Sequence, residues 1–197
     1  MSNVTDRKKT RRMLLLLGAI SVAPFAASLL LYYFWTPQAF TNYGELITVL
    51  PLAGETIPAR DGSAFRIDAL RGKWTFLTVD SGDCDDYCQS KLYVMRQIRL
   101  TQGKDQDSIE RLWLVPDGVL PAPGIAAEYQ GTHTILTASE DFISRLPATG
   151  TPRDHIYIVD PFGNLMMRFP RNVDPRRMKK DVDRLMKISG GWVQTGK

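Results

Sequence analysis

An uncharged run of 23 residues, Met13 to Trp35, divides this chain into two physically different parts. About 20 apolar residues suffice to cross a bilayer core, so the run is long enough to span one. Arg7, Lys8, Lys9, Arg11 and Arg12 precede it, offset only by Asp6. A basic cluster on that side predicts a cytoplasmic N-terminus, and Tyr32-Tyr33-Phe34-Trp35 makes an aromatic belt at the far interface. Pro24 kinks such a helix without forbidding it. A cleaved signal peptide is the competing reading, with Phe25-Ala26-Ala27-Ser28 as its small-residue stretch, although the apolar run continues past that point. Residues from Thr36 onward are then expected outside the cytoplasm, where disulfides persist. The short segment ahead of the run has no room for a separate transit peptide, which favours a bacterial inner membrane over a mitochondrial one.

The formal charge of +4 invites a guess of nucleic-acid binding, but the N-terminal cluster already accounts for all of it. The remainder is polarised. From Met166 onward Arg168, Arg171, Arg176, Arg177, Lys179, Lys180, Arg184, Lys187 and Lys197 face only Asp174, Asp181 and Asp183, a surplus of six, which leaves residues 36–165 at minus six. Either this is the solvated face of an amphipathic helix, or it is a docking surface for anionic lipid or an acidic partner domain. The chain carries no glycine-rich phosphate loop, nucleophile elbow, His-Glu zinc-protease pattern or nucleic-acid signature.

Hydropathy patterning predicts strands at Glu45 to Leu50, Trp74 to Val79, Ile109 to Val115, Thr132 to Leu136, His155 to Val159 and Leu165 to Phe169. The last two are joined by Asp160-Pro161-Phe162-Gly163-Asn164, in which Pro fixes φ and Gly or Asn accepts φ > 0, hence a hairpin. Helices are predicted at Asp85 to Leu100, Ala126 to Gln130, Ser139 to Leu146 and Pro175 to Ile188. The last has Asp174 as N-cap, Pro175 at its first position and Gly190-Gly191 beyond its end. Its apolar stripe is Met178, Val182, Leu185 and Met186. This order describes an α/β domain of thioredoxin-like type, a mixed sheet with flanking helices, behind one N-terminal transmembrane helix. The expected segments are a basic tail at 1–12, the span at 13–35, a tether with a first strand at 36–54, the domain at 55–190 and a tail at 191–197.

Cys84 and Cys88 are the only cysteines. A pair four apart at the start of a helix places both sulfurs on one face, close enough to form a disulfide or to share one soft metal ion. Cys84 at the helix N-terminus is favoured as a thiolate by the macrodipole, whereas Cys88, in line with Leu92 and Met95, is expected to be the more buried, resolving sulfur. Against this stand Asp80, Asp83, Asp85 and Asp86, with no basic residue until Lys91, a field that disfavours thiolate and attracts cations. A static disulfide is the structural alternative, weakened by how little chain so short a loop constrains. Two thiolates with one imidazole suit Cu(I). His155 is the candidate imidazole, with a half-buried strand residue as the other reading, and His133 reads as a strand residue. Asp86 either aids metal or partner binding or simply favours the helix start; Tyr87 either shields the sulfurs or packs on the surface.

Leu70-Arg71-Gly72-Lys73-Trp74, then Cys84-x-Asp86-x-Cys88, then Tyr157-Ile158-Val159-Asp160-Pro161-x-Gly163 resembles the Sco/SenC family over roughly Glu55 to Ile188. The resemblance implies a membrane-anchored, thioredoxin-fold protein that delivers copper to cytochrome c oxidase subunit II or controls its thiols, with subunit II or other oxidase assembly factors as partner. It implies Cys84 and Cys88 as redox pair and copper ligands. The family's third ligand is a histidine about nine residues before the turn proline. Here that place holds Pro152, and His155, six residues before Pro161, is the nearest histidine. A metal-free thiol-disulfide oxidoreductase and a non-catalytic scaffold with a structural disulfide are the alternatives.

Overall fold

The computed structural model describes residues 3–34, 42–137 and 139–189. The chain divides into two compact units, Met1–Thr41 and Asn42–Lys197. The first is a single helix, α1 (Asn3–Phe34), which continues through Pro24. Its stretch Lys9–Phe34 is long and apolar enough to cross a membrane. Trp35, the remainder of the tether to residue 41 and the tail at 191–197 lie outside the described residues.

The second unit is built on a six-stranded sheet. Its strands are β1 (Glu45–Pro51), β4 (Trp74–Val79), β5 (Ile109–Val115), β6 (His133–Leu136), β7 (Ile156–Val159) and β8 (Asn164–Arg168), in the order β1-β8-β7-β4-β5-β6. The β4-β5 and β5-β6 pairs are parallel and the others antiparallel. Each predicted strand is present within two residues. A small hairpin, β2 (Thr56–Pro58) with β3 (Ala64–Arg66), was not foreseen, since three-residue strands have too short a pattern to read. The helices are α2 (Asp86–Thr101), α3 (Pro123–Glu128), α4 (Glu140–Ser144) and α5 (Pro175–Ser189).

Strand periodicity sorts the core into two layers. Trp74, Phe76, Ile156, Ile158 and Met167 face α2 and α5, meeting Val94, Met95, Ile98, Met178 and Val182. Leu77, Val79, Tyr157, Val159 and Leu165 face the other way, onto Leu52, Ile57, Leu70, Phe142 and Leu146. Each fully buried side chain of this size contributes about 2 kcal/mol, so both faces of the sheet are committed to packing. The β7-β8 turn takes its form from Gly163, at φ 89°. Asp174 caps α5 as predicted, its carboxylate accepting from the amides of Arg176 (2.8 Å) and Arg177 (3.2 Å). Chemistry is left to the strand ends, where α2 begins.

Candidate functional site

Cys84 and Cys88 lie beyond the end of β4, joined by a disulfide with S–S 2.01 Å and Cα–Cα 5.0 Å. The way the chain presents them differs from the expectation of two sulfurs on one helical face. Asp85, at φ −60° and ψ 178°, is the N-cap and its side chain accepts from the Cys88 amide at 2.9 Å. Cys84 therefore precedes the helix and sits in the left-handed region at φ 45°, which costs a non-glycine residue on the order of 1 kcal/mol. Neither sulfur is presented to solvent: Cys84 is 1% exposed and Cys88 0%. Cys88 was expected to be the more buried of the two, but both are enclosed alike, because Leu92, Trp113, Val115 and Tyr129 close around the pair together with Ile125 and Leu136.

The segment that leads into Cys84 is itself held in place. A Cβ on Gly82 would overlap the carbonyl of Val119, so glycine alone lets the segment before Cys84 lie against the segment after β5. Asp117 accepts from the Gly82 amide at 3.3 Å and from the Val119 amide at 3.0 Å. Burial pushes the Asp117 carboxyl up, but bonds from Ser81, Val119 and Gly82 outweigh it and leave the group below its usual value. Gln89 closes the other side, its Nε2 donating to the Cys84 carbonyl at 3.0 Å.

Half of the acidic field read from the sequence is answered by cations in space. Lys91 is 2% exposed, with Nζ 2.8 Å from Asp80 Oδ2. Its hydrogens go to the carbonyls of Val79 (3.1 Å) and Arg153 (2.6 Å). Arg153 Nε donates to Asp80 Oδ1 at 2.7 Å and its Nη2 pairs with Asp85 Oδ2. Two cations thus meet two of the four carboxylates. Burial pushes the Lys91 ammonium below its ordinary value, with Asp80 pulling against that shift. The Asp85 carboxyl is held below the usual range by the Cys88 amide and then by Arg153. Asp83 and Asp86 remain exposed. Arg153 is the site residue that sequence reasoning missed: it lies 68 positions from Asp85, and no local pattern marks it.

His155 is buried elsewhere. Its Nδ1 lies 2.7 Å from the carbonyl of Phe169, and its Nε2 lies 3.0 Å from the Thr149 amide and 3.2 Å from the Thr149 carbonyl. It lines a cleft of about 470 Å³ with Tyr43, Glu45, Arg168 and Arg171. Among the described residues no three His, Cys, Asp or Glu side chains gather as a metal set. With both sulfurs in a disulfide and both imidazole nitrogens engaged, the donors as arranged do not fit a three-ligand copper site. His133 opens β6 and faces Glu110, its Nε2 3.4 Å from the carboxylate. The Tyr87 hydroxyl donates to the Asp154 carbonyl at 3.0 Å, and its ring packs against the cations of Lys91 and Arg171.

A thioredoxin-like sheet followed by a cysteine pair at the mouth of its first long helix defines a thioredoxin-like domain. Residues 74–189, more than half of the chain, match the family described as "Transmembrane-like, thioredoxin-like, C-terminal domain", and the chain belongs to that family. No curated protein matches it. Among solved structures, it is similar to a SCO1/SenC family lipoprotein from Bacillus anthracis, at 16% identity and TM-score 0.50, over 72% of this chain and 99% of that one. It is also similar to yeast Sco1 with copper bound, at 16% identity and TM-score 0.52, over 70% and 94%. A protein from Bacteroides thetaiotaomicron, provisionally named a protein disulfide isomerase, is similar at 17% identity and TM-score 0.53, over 76% and 97%. At these identities the likeness is one of fold.

Proposed function

We propose that this is a single-pass membrane protein whose extracytoplasmic thioredoxin-like domain exchanges its Cys84–Cys88 disulfide with the thiols of a partner protein. The observation that carries the reading is the disulfide itself, set at the N-terminus of α2 above the Asp80–Lys91–Arg153 charges. A helix N-terminus lowers the cost of the thiolate that exchange requires. Because both sulfurs are buried, exchange begins with displacement of the side chains that close around the pair, so access governs its rate.

Copper handling for cytochrome c oxidase assembly, with subunit II as partner, is the second reading, favoured by the likeness to copper-bound yeast Sco1. Cys84 and Cys88 would supply two soft ligands after reduction, and His155 would have to leave Phe169 and Thr149 to supply a third. The full chain in nanodiscs, equilibrated against glutathione buffers and scored by thiol trapping, tests the first reading. Reversible reduction, unchanged by His155→Ala, supports it; a bond that stays oxidised at every ratio supports a structural disulfide instead. Stoichiometric Cu(I) on the reduced chain, lost in both His155→Ala and Cys84→Ser, supports the copper role.

A further inference from the structure

The side chains that enclose the disulfide come from two kinds of element. Leu92 lies on α2, and Trp113 and Val115 lie on β5. The core fixes both elements: α2 gives Val94, Met95 and Ile98 to one layer, and β5 gives Leu112 and Leu114 to the other. Neither can move without dismantling the domain.

Tyr129 and Ile125 come from α3 and its end, which the core hardly holds. Across residues 116–132, between β5 and β6, Tyr129 is the one buried residue. α3 itself buries none, is six residues long and has no side-chain cap. The amides of Ala126 and Tyr129 donate within the segment, to the carbonyls of Ala122 and Ile125. Gly118 and Gly131 stand towards its two ends at φ 69° and 79°, and glycine accepts the dihedral change that a hinge requires. An element with so little buried surface opens at a free energy well below that of the whole domain.

Three contacts fasten the far end of this segment. The Tyr129 hydroxyl donates to the Gln89 carbonyl at 3.3 Å, one residue past Cys88. Arg111 Nη2 donates to the Gln130 carbonyl at 2.7 Å, and Glu128 lies 4.0 Å from Arg96. Arg111 is 4% exposed, and its Nε and Nη1 have no hydrogen-bond partner among the described residues. A Cβ on Gly131 would stand 3.2 Å from Nη2, so the guanidinium lies directly under the segment. Lifting the segment lets water reach those donors, which offsets part of the cost of opening.

We propose that residues 118–131 form a gate over the Cys84–Cys88 disulfide, latched by Tyr129, and that its opening sets the rate at which a thiol reaches the sulfurs. The inference rests on the exchange reading given above. With the gate open, a thiolate of the partner attacks one sulfur and the other leaves as thiolate. A second partner thiol then resolves the mixed disulfide, so the partner carries the new disulfide and the two cysteines take up its two protons.

Reduction of the full chain in nanodiscs by dithiothreitol, followed by thiol trapping at intervals, tests the gate. Tyr129→Phe removes only the hydroxyl bond and should speed reduction about 3-fold. Tyr129→Ala removes the ring as well and should speed it about 10-fold or more. Leu146→Ala, in the core layer on the other face of the sheet, controls for lost stability and should leave the rate near wild type. Urea below the unfolding transition should raise the wild-type rate only slightly, because a local opening exposes little surface. Rates that ignore both Tyr129 substitutions overturn the gate and leave the exchange reading intact, and so does equal acceleration by Leu146→Ala and Tyr129→Ala. A bond reduced only as the domain unfolds overturns both together.

Discussion

Asp80 and Asp181 are both buried carboxylates, but they are answered by different kinds of group. Asp181 meets main-chain amides, those of Tyr43 and Gly44, with Arg184 at a distance. Asp80 meets side-chain cations, Lys91 and Arg153, and through Arg153 it is linked to Asp85 and so to the Cys88 amide. Amides fix a position and carry no net charge. Cations brought in from two other segments set the potential around the sulfurs. Asp181 fastens the chain, whereas Asp80 balances charge close to the disulfide.

Removing the acid at each place is the sharpest way to break this contrast. Asp80→Ala leaves Lys91 buried without its counter-charge, and the domain should lose about 3–5 kcal/mol in denaturant unfolding. Asp181→Ala strands one buried and one part-buried amide but no charge, so its loss should be smaller, about 2 kcal/mol by the same measurement. If the two losses were equal, the burial of Lys91 would carry no special cost. Arg153 is 44% exposed, so Arg153→Gln should cost under about 1 kcal/mol of stability. It should nonetheless make the disulfide harder to reduce, because Asp85 loses its cation and Asp80 keeps only Lys91. A glutathione titration that does not move would remove Arg153 from the site.

The same contrast explains what could be read from the sequence. β4, β5 and β7 were legible because they are buried on both faces, so that β7 is a continuous apolar run, β4 is interrupted only by Thr75 and Thr78, and β5 is apolar from Leu112 to Val115. α5 was legible from its stripe and from Asp174-Pro175. The cysteines were legible as a pair, but not their burial, since Trp113, Tyr129 and Leu136 come from β5, the end of α3 and β6. The charge of the site was misread for the same reason. Local counting sees Asp80, Asp83, Asp85 and Asp86, and cannot see that Arg153 returns from 73 residues beyond Asp80.

Acid should separate the two regions more gently than mutation does. The Asp85 carboxyl is held below its ordinary value by the Cys88 amide and by Arg153. A carboxyl whose folded value is depressed binds fewer protons in the folded state than in the unfolded one. Its contribution is therefore complete above the unfolded value of about 3.9 and is lost as pH falls through the folded value. Asp85→Asn keeps an N-cap but removes this titration, so its unfolding curve should be flatter than wild type below about pH 4. The arm of the curve above that pH should be shared by both proteins. Asp85 is more than half exposed, so this effect should be smaller than that of Arg153→Gln. If Asp85→Asn leaves the acid limb unchanged, the Arg153–Asp85 pair is a surface contact, and the balance of charge at the cysteines rests on Asp80 with Lys91 and Arg153.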